Sequence, residues 1–138
     1  MTLTRRSVMV MGAGALVTFG LPMRANAAAE DAVTEFTGGA EVGSEGVTLT
    51  APEIAENGNT VPIEVAAPGA EAILVLAMGN PTPGVARFTF GPLAGSQSAS
   101  TRIRLAGTQD VVAIARMKDG SFARASSNVK VTIGGCGG

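Results

Sequence analysis

From Val47 onward the chain alternates apolar and polar positions in short runs. Val47-Thr48-Leu49-Thr50 and Val61-Pro62-Ile63-Glu64-Val65 change character at nearly every residue, the period of a strand buried on one face. Glu56-Asn57-Gly58-Asn59 between them is a turn signal. Ile73-Leu74-Val75-Leu76-Ala77-Met78 does not alternate. A six-residue apolar run closed by Gly79-Asn80-Pro81 suits a central strand covered on both faces better than a buried helix. Phe88 and Phe90 share one side of a further strand with Arg87 and Thr89 opposite, and Arg102-Ile103-Arg104-Leu105 repeats the alternation. Val111–Met117 and Ser121–Ala125 flank Lys118-Asp119-Gly120, a hairpin signal. Val129, Val131 and Ile133 form one face of a last strand, with Lys130 and Thr132 on the other. Seven or eight short strands, roughly ten residues apart, predict an all-β domain, an Ig-like antiparallel β-sandwich. Antibody hallmarks are missing, since the chain has no Trp, no Tyr and no second Cys. Ahead of the strands, Ala28–Phe36 reads as a short helical turn ended by Thr37-Gly38-Gly39.

The first 27 residues have a different pattern. Arg5-Arg6 precede an apolar run from Val8 to Met23, followed by Arg24 and the small-residue site Ala25-Asn26-Ala27. A charged start, an apolar middle and an A-x-A end predict a secretory leader cleaved after Ala27, and the paired arginines point to the twin-arginine (Tat) route. A membrane anchor is the rival. The run holds 16 residues, with Gly12, Gly14 and Gly20 inside it, fewer than the roughly 20 apolar residues a spanning helix needs. The expected organisation is therefore a leader over 1–27, a sandwich over 28–133 and a tail over 134–138, in a periplasmic protein without stable membrane association.

Removing the leader takes away three arginines and no acid. The remaining 111 residues carry 7 basic and 11 acidic side chains, a net charge of −4. Scattered and outnumbered cations do not make a nucleic-acid surface. The chain has no histidine, which removes the commonest acid–base group and metal ligand, along with Ser-His-Asp and Cys-His catalysis. One cysteine cannot build a thiolate zinc site, and the acids lack the spacing of a calcium loop. Glu53 and Glu56 are spaced as solvated loop charges, and the Gly38-Gly39 and Gly91-Pro92 stretches lack a phosphate-binding pattern. No cofactor, metal or catalytic residue is expected.

One feature is left. The chain ends in Gly134-Gly135-Cys136-Gly137-Gly138. Glycine offers a core nothing to pack, so this tail is expected to be mobile, a thin arm carrying the Cys136 thiol roughly 10 Å beyond the last strand. An exposed lone thiol is a liability in an oxidising compartment unless it is used. Read from the residues alone, it is either a covalent attachment point or half of an interchain disulfide, the second making the protein an Ig-like interaction module dimerised through Cys136.

Leader, small β domain and Gly-Gly-Cys-Gly-Gly terminus together resemble the SoxY family, the sulfur carriers of periplasmic thiosulfate oxidation. Every position of the terminal pentapeptide matches the family's motif, and the segment from Leu49 to Pro62 is similar to the family's first strand and turn. The resemblance implies a non-catalytic carrier with Cys136 as the covalent attachment site and Gly134, Gly135, Gly137 and Gly138 as its swinging arm. It implies a heterodimer with SoxZ, a leaderless β-sandwich subunit exported with the folded pair. Three enzymes act on the arm in such a system. SoxAX, a haem enzyme, joins thiosulfate to the cysteine oxidatively; SoxB hydrolyses the terminal sulfonate to sulfate; a sulfur dehydrogenase oxidises the sulfane sulfur left behind, or the sulfur is passed on where that enzyme is absent. A ubiquitin-like sulfur carrier also ends in Gly-Gly, but it loads its terminal carboxylate using cytoplasmic ATP, which an exported protein does not meet.

Overall fold

The computed structural model describes residues 23–134. One helix, α1 (Met23–Thr37), precedes nine strands: β1 (Val42–Gly43), β2 (Thr48–Thr50), β3 (Ile54–Ala55), β4 (Val61–Ala66), β5 (Ala70–Ala77), β6 (Gly84–Thr89), β7 (Ser98–Ile103), β8 (Gln109–Met117) and β9 (Phe122–Val131). The larger sheet runs β1-β9-β8-β5-β6, with β3 also paired to β9; the smaller runs β2-β4-β7. Face to face, they make the expected Ig-like sandwich.

The alternation that identified the strands now fills the space between the sheets. Val61, Ile63 and Val65 of β4 and Ile103 of β7 meet Ile73 and Val75 of β5, Val111 and Ala113 of β8, and Val129 of β9. The unalternating run in β5 has a cause on its other face. There Ala72 and Leu76, with Val112 and Ile114 of β8, are buried beneath Phe36 of α1. Both faces of the strand are covered, so both sets of positions are apolar. Leu76 is wholly buried. Leu76→Ala is expected to cost about 2–5 kcal/mol through lost burial and a residual cavity, lowering Tm by roughly 10 °C or more. Ile54→Ala, at a side chain 59% exposed, should change thermal denaturation by less than about 0.5 kcal/mol.

The β8–β9 hairpin turns where Asp119-Gly120 predicts it. Gly120 has φ +88°, a left-handed conformation that costs an L-residue about 1–2 kcal/mol. Asp119 Oδ1 accepts from the Ser121 hydroxyl at 2.6 Å and the Ser121 amide at 2.9 Å. The hydroxyl bond, then the amide, holds the Asp119 carboxyl below its usual range. Its contribution to the turn is thus present above the ordinary carboxylate pKa and fades only as the pH falls through the depressed value.

Three expectations are revised. Ser121–Ala125 and Val129–Ile133 are not separate strands. One ten-residue strand, β9, runs through Ser126-Ser127-Asn128, because backbone pairing of Val111 with Ser127 and Asp110 with Asn128 continues regardless of polar side chains. Ile133 lies beyond that strand and is 67% exposed. The sandwich is also not purely antiparallel: β1 and β3 pair parallel with the start and end of β9, covering part of an edge that would otherwise be open to other chains. Two-residue strands carry no periodicity to read. Finally, α1 starts at Met23, five residues before the expected helical turn, and so crosses the expected cleavage junction after Ala27. Its end is where Gly38 and Gly39 place it, both with positive φ.

Candidate functional site: the root of the C-terminal tail

Past Val131 the chain leaves the sheet but stays tied to it. Thr132 donates its amide to the Ala55 carbonyl at 3.0 Å and its hydroxyl to the Glu56 carbonyl at 2.9 Å. Ile133 accepts at its carbonyl from the buried Gly58 amide at 2.7 Å. The turn read from Glu56-Asn57-Gly58-Asn59 is therefore the tail's landing place. Asn57 closes it by accepting from the Asn59 amide at 3.0 Å, and Gly58 in turn accepts from the Leu105 amide at 2.8 Å. Gly134 then passes against the Ala106 carbonyl so closely that a Cβ there would overlap the backbone oxygen.

Behind Ala106 lies a polar cluster that sequence reasoning missed. Asn80, wholly buried, donates from Nδ2 to the Arg104 carbonyl at 2.8 Å, and its Oδ1 accepts from the Ala106 amide at 2.9 Å. Gln109, 8% exposed, donates from Nε2 to Asn80 Oδ1 and to the Gly107 carbonyl, each at 2.9 Å. Its Oε1 accepts from the Gly79 amide, also at 2.9 Å. Two side-chain amides thus fix the Arg104–Gly107 segment from inside. Gly79-Asn80-Pro81 announced a turn; nothing in the pattern showed that the asparagine faces inward.

Of the predicted arm, Gly134 is described; Gly135, Cys136, Gly137 and Gly138 lie outside the described residues, as do Arg5 and Arg6. Ala25 and Ala27 fall on α1. Glu53 and Glu56 are exposed, and their carbonyls, accepting from the Lys130 amide and the Thr132 hydroxyl, serve the sheet and the tail. Among the described residues, no group of three or more Cys, Asp or Glu is placed to hold a metal. No described helix is long and apolar enough to cross a membrane. Among the described residues, a groove of about 600 Å³ lies on the smaller sheet, lined by the ionisable side chains of Glu64 and Arg102 and the hydroxyls of Thr50, Ser100 and Thr101.

The family model described as "Sulfur oxidation protein SoxY" matches residues 33–136. The solved structure of the sulfur carrier protein SoxY from Chlorobium limicola f thiosulfatophilum is 35% identical, covering 78% of this chain and 98% of its own, with a TM-score of 0.67. Superoxide reductase (neelaredoxin) from Ignicoccus hospitalis is similar in fold, with a TM-score of 0.56 at 17% identity, over 64% of this chain and 81% of its own. At that identity the likeness is one of fold alone. No curated protein matches the chain.

Proposed function

The chain belongs to the SoxY family of sulfur oxidation proteins, and on that premise we propose that it carries its sulfur covalently on Cys136, at the end of a glycine arm rooted at Gly134. It is a sulfur carrier of the sulfur oxidation system. The observation that carries the assignment of the residue is the family match, which extends to residue 136, together with the glycines on either side of the chain's one thiol.

The chemistry divides between arm and partners. No cation, acid or base stands beside Cys136 in the sequence to activate its thiol. In the loading step the Cys136 thiol and the sulfane sulfur of thiosulfate form a sulfur–sulfur bond. The thiol proton is released, and two electrons leave to an acceptor of the SoxAX type. Hydrolysis of the sulfonate by a SoxB-type enzyme then consumes water, releases sulfate and protons, and leaves a persulfide on Cys136. The sulfur that remains is oxidised by a sulfur dehydrogenase-type enzyme or passed on where that enzyme is absent. None of these steps asks the sandwich for an acid, a base or a metal.

The protein acts in the periplasm as a heterodimer with a SoxZ-like subunit. A mature domain of 111 residues with few aromatics has a small core, and a subunit interface adds apolar burial it lacks alone. Purification from the native host is expected to yield a one-to-one complex with a second, leaderless β-sandwich protein. A monomer at every step would contradict the partnership. A reducible homodimer as the sole species would instead favour the disulfide-linked interaction module.

A further inference from the structure

We propose that Gly134 is the fixed root of the arm and that Asn80 and Gln109 are the positioning residues that hold it. The inference deepens the carrier reading and rests on it.

Flexibility is the simple expectation for a Gly-Gly pair, but Gly134 is closely packed. Gly134 has no room for a side chain because the Ala106 carbonyl occupies that space, and the obstacle is backbone, which cannot rotate aside. Glycine here serves close approach rather than freedom. Ile133 is held one residue earlier through the Gly58 amide. The tail root is thus gripped between the Asn57-Gly58 turn and the Ala106 segment.

That grip depends on the buried amides. Ala106 belongs to a non-strand connection between β7 and β8, and its amide hydrogen bond goes to Asn80 Oδ1. Neighbouring carbonyls at Arg104 and Gly107 are taken by Asn80 and Gln109. Asn80 comes from the β5–β6 connection and Gln109 opens β8, so the larger sheet itself sets where the tail begins. A fixed root leaves Gly135 as the only glycine between anchor and cysteine. With two residue steps from Gly134, chain length alone keeps Cys136 within roughly 7 Å of it. A partner enzyme therefore meets the thiol in a defined zone at one end of the sandwich. Displacements of about 1 Å can cost a hundredfold in rate.

Gly134→Ala is the direct test, since a substitution next to the terminus leaves the sandwich core intact. In the mature heterodimer, exchange of the Gly58 amide hydrogen should accelerate about tenfold or more, while the Val75 and Ala113 amides in the central strands exchange as in the wild type. Thiosulfate turnover with the partner enzymes should fall about tenfold, with the reaction of Cys136 toward a small aromatic disulfide unchanged. Gln109→Met, which keeps volume but removes three hydrogen bonds, should accelerate exchange at Ala106 and reduce turnover in the same sense. Wild-type exchange in both variants would overturn the inference, and so would faster exchange with undiminished turnover. Loss of the carrier reading itself would show differently, as turnover surviving in a chain without Cys136.

Discussion

Replacing Cys136 by serine is expected to abolish thiosulfate-dependent electron transfer while leaving the fold and the partner complex unchanged. The electronic reason is decisive: an alkoxide neither forms nor exchanges the sulfur–sulfur bonds on which every step of the cycle depends. The structural reason is that the described core clusters are built from α1, the strands and the loop residues Val47, Ala67 and Leu105, and a cysteine flanked by glycines brings little apolar surface to add to them. Cys136→Ser should therefore melt within about 2–4 °C of wild type, because substitutions away from packed features change stability by less than about 0.5 kcal/mol. Oxygen uptake or cytochrome reduction with the reconstituted partners is the measurement. Residual turnover above the no-carrier background would place the sulfur elsewhere.

The second large effect concerns export. Lysine at both Arg5 and Arg6 keeps the charge of the leader but removes the arginine pair that the twin-arginine receptor reads. The double variant is expected to accumulate as uncleaved precursor in the cytoplasm, with the periplasmic pool reduced to near background. A leaderless partner of the kind proposed, exported with the folded chain, should be retained with it. Cell fractionation followed by immunoblotting checks both. Normal periplasmic amounts of mature protein would assign the leader to the general secretory route, which tolerates lysine. The helix adds a detail to this prediction. With α1 running from Met23 to Thr37, cleavage after Ala27 requires its first turn to open. Processing should therefore slow when that turn is stabilised, for example by Asn26→Ala, a substitution that raises helix propensity.

Much of the sandwich was legible because its strands are one-sided. Val61, Ile63 and Val65 face the core while Pro62 and Glu64 face out, and such alternation survives in the sequence. The β5 run was legible for the opposite reason, its two faces being covered by the smaller sheet and by α1. What escaped was set by backbone alone. β1 and β3 are two residues each and exist because β9 offers an edge. β9 passes through Ser126-Ser127-Asn128 because β8 pairs with it there. At the site, the glycine-flanked Cys136 stood out in the sequence, as an attachment point or half of a disulfide, and only the family resemblance chose between them. The anchoring pair did not, since Asn80 and Gln109 are 29 residues apart and each looks, in isolation, like an ordinary polar residue at the end of a strand.

The central claim is that Cys136 carries the sulfur, and intact-mass and peptide spectra of protein taken from cells oxidising thiosulfate test it most directly. The account predicts adducts of sulfane sulfur and sulfonate composition on the C-terminal peptide containing Cys136, removed by a thiol reductant and absent from cells grown without thiosulfate. An unmodified Cys136 peptide under the same conditions, or a spectrum showing only a Cys136–Cys136 disulfide, would contradict it.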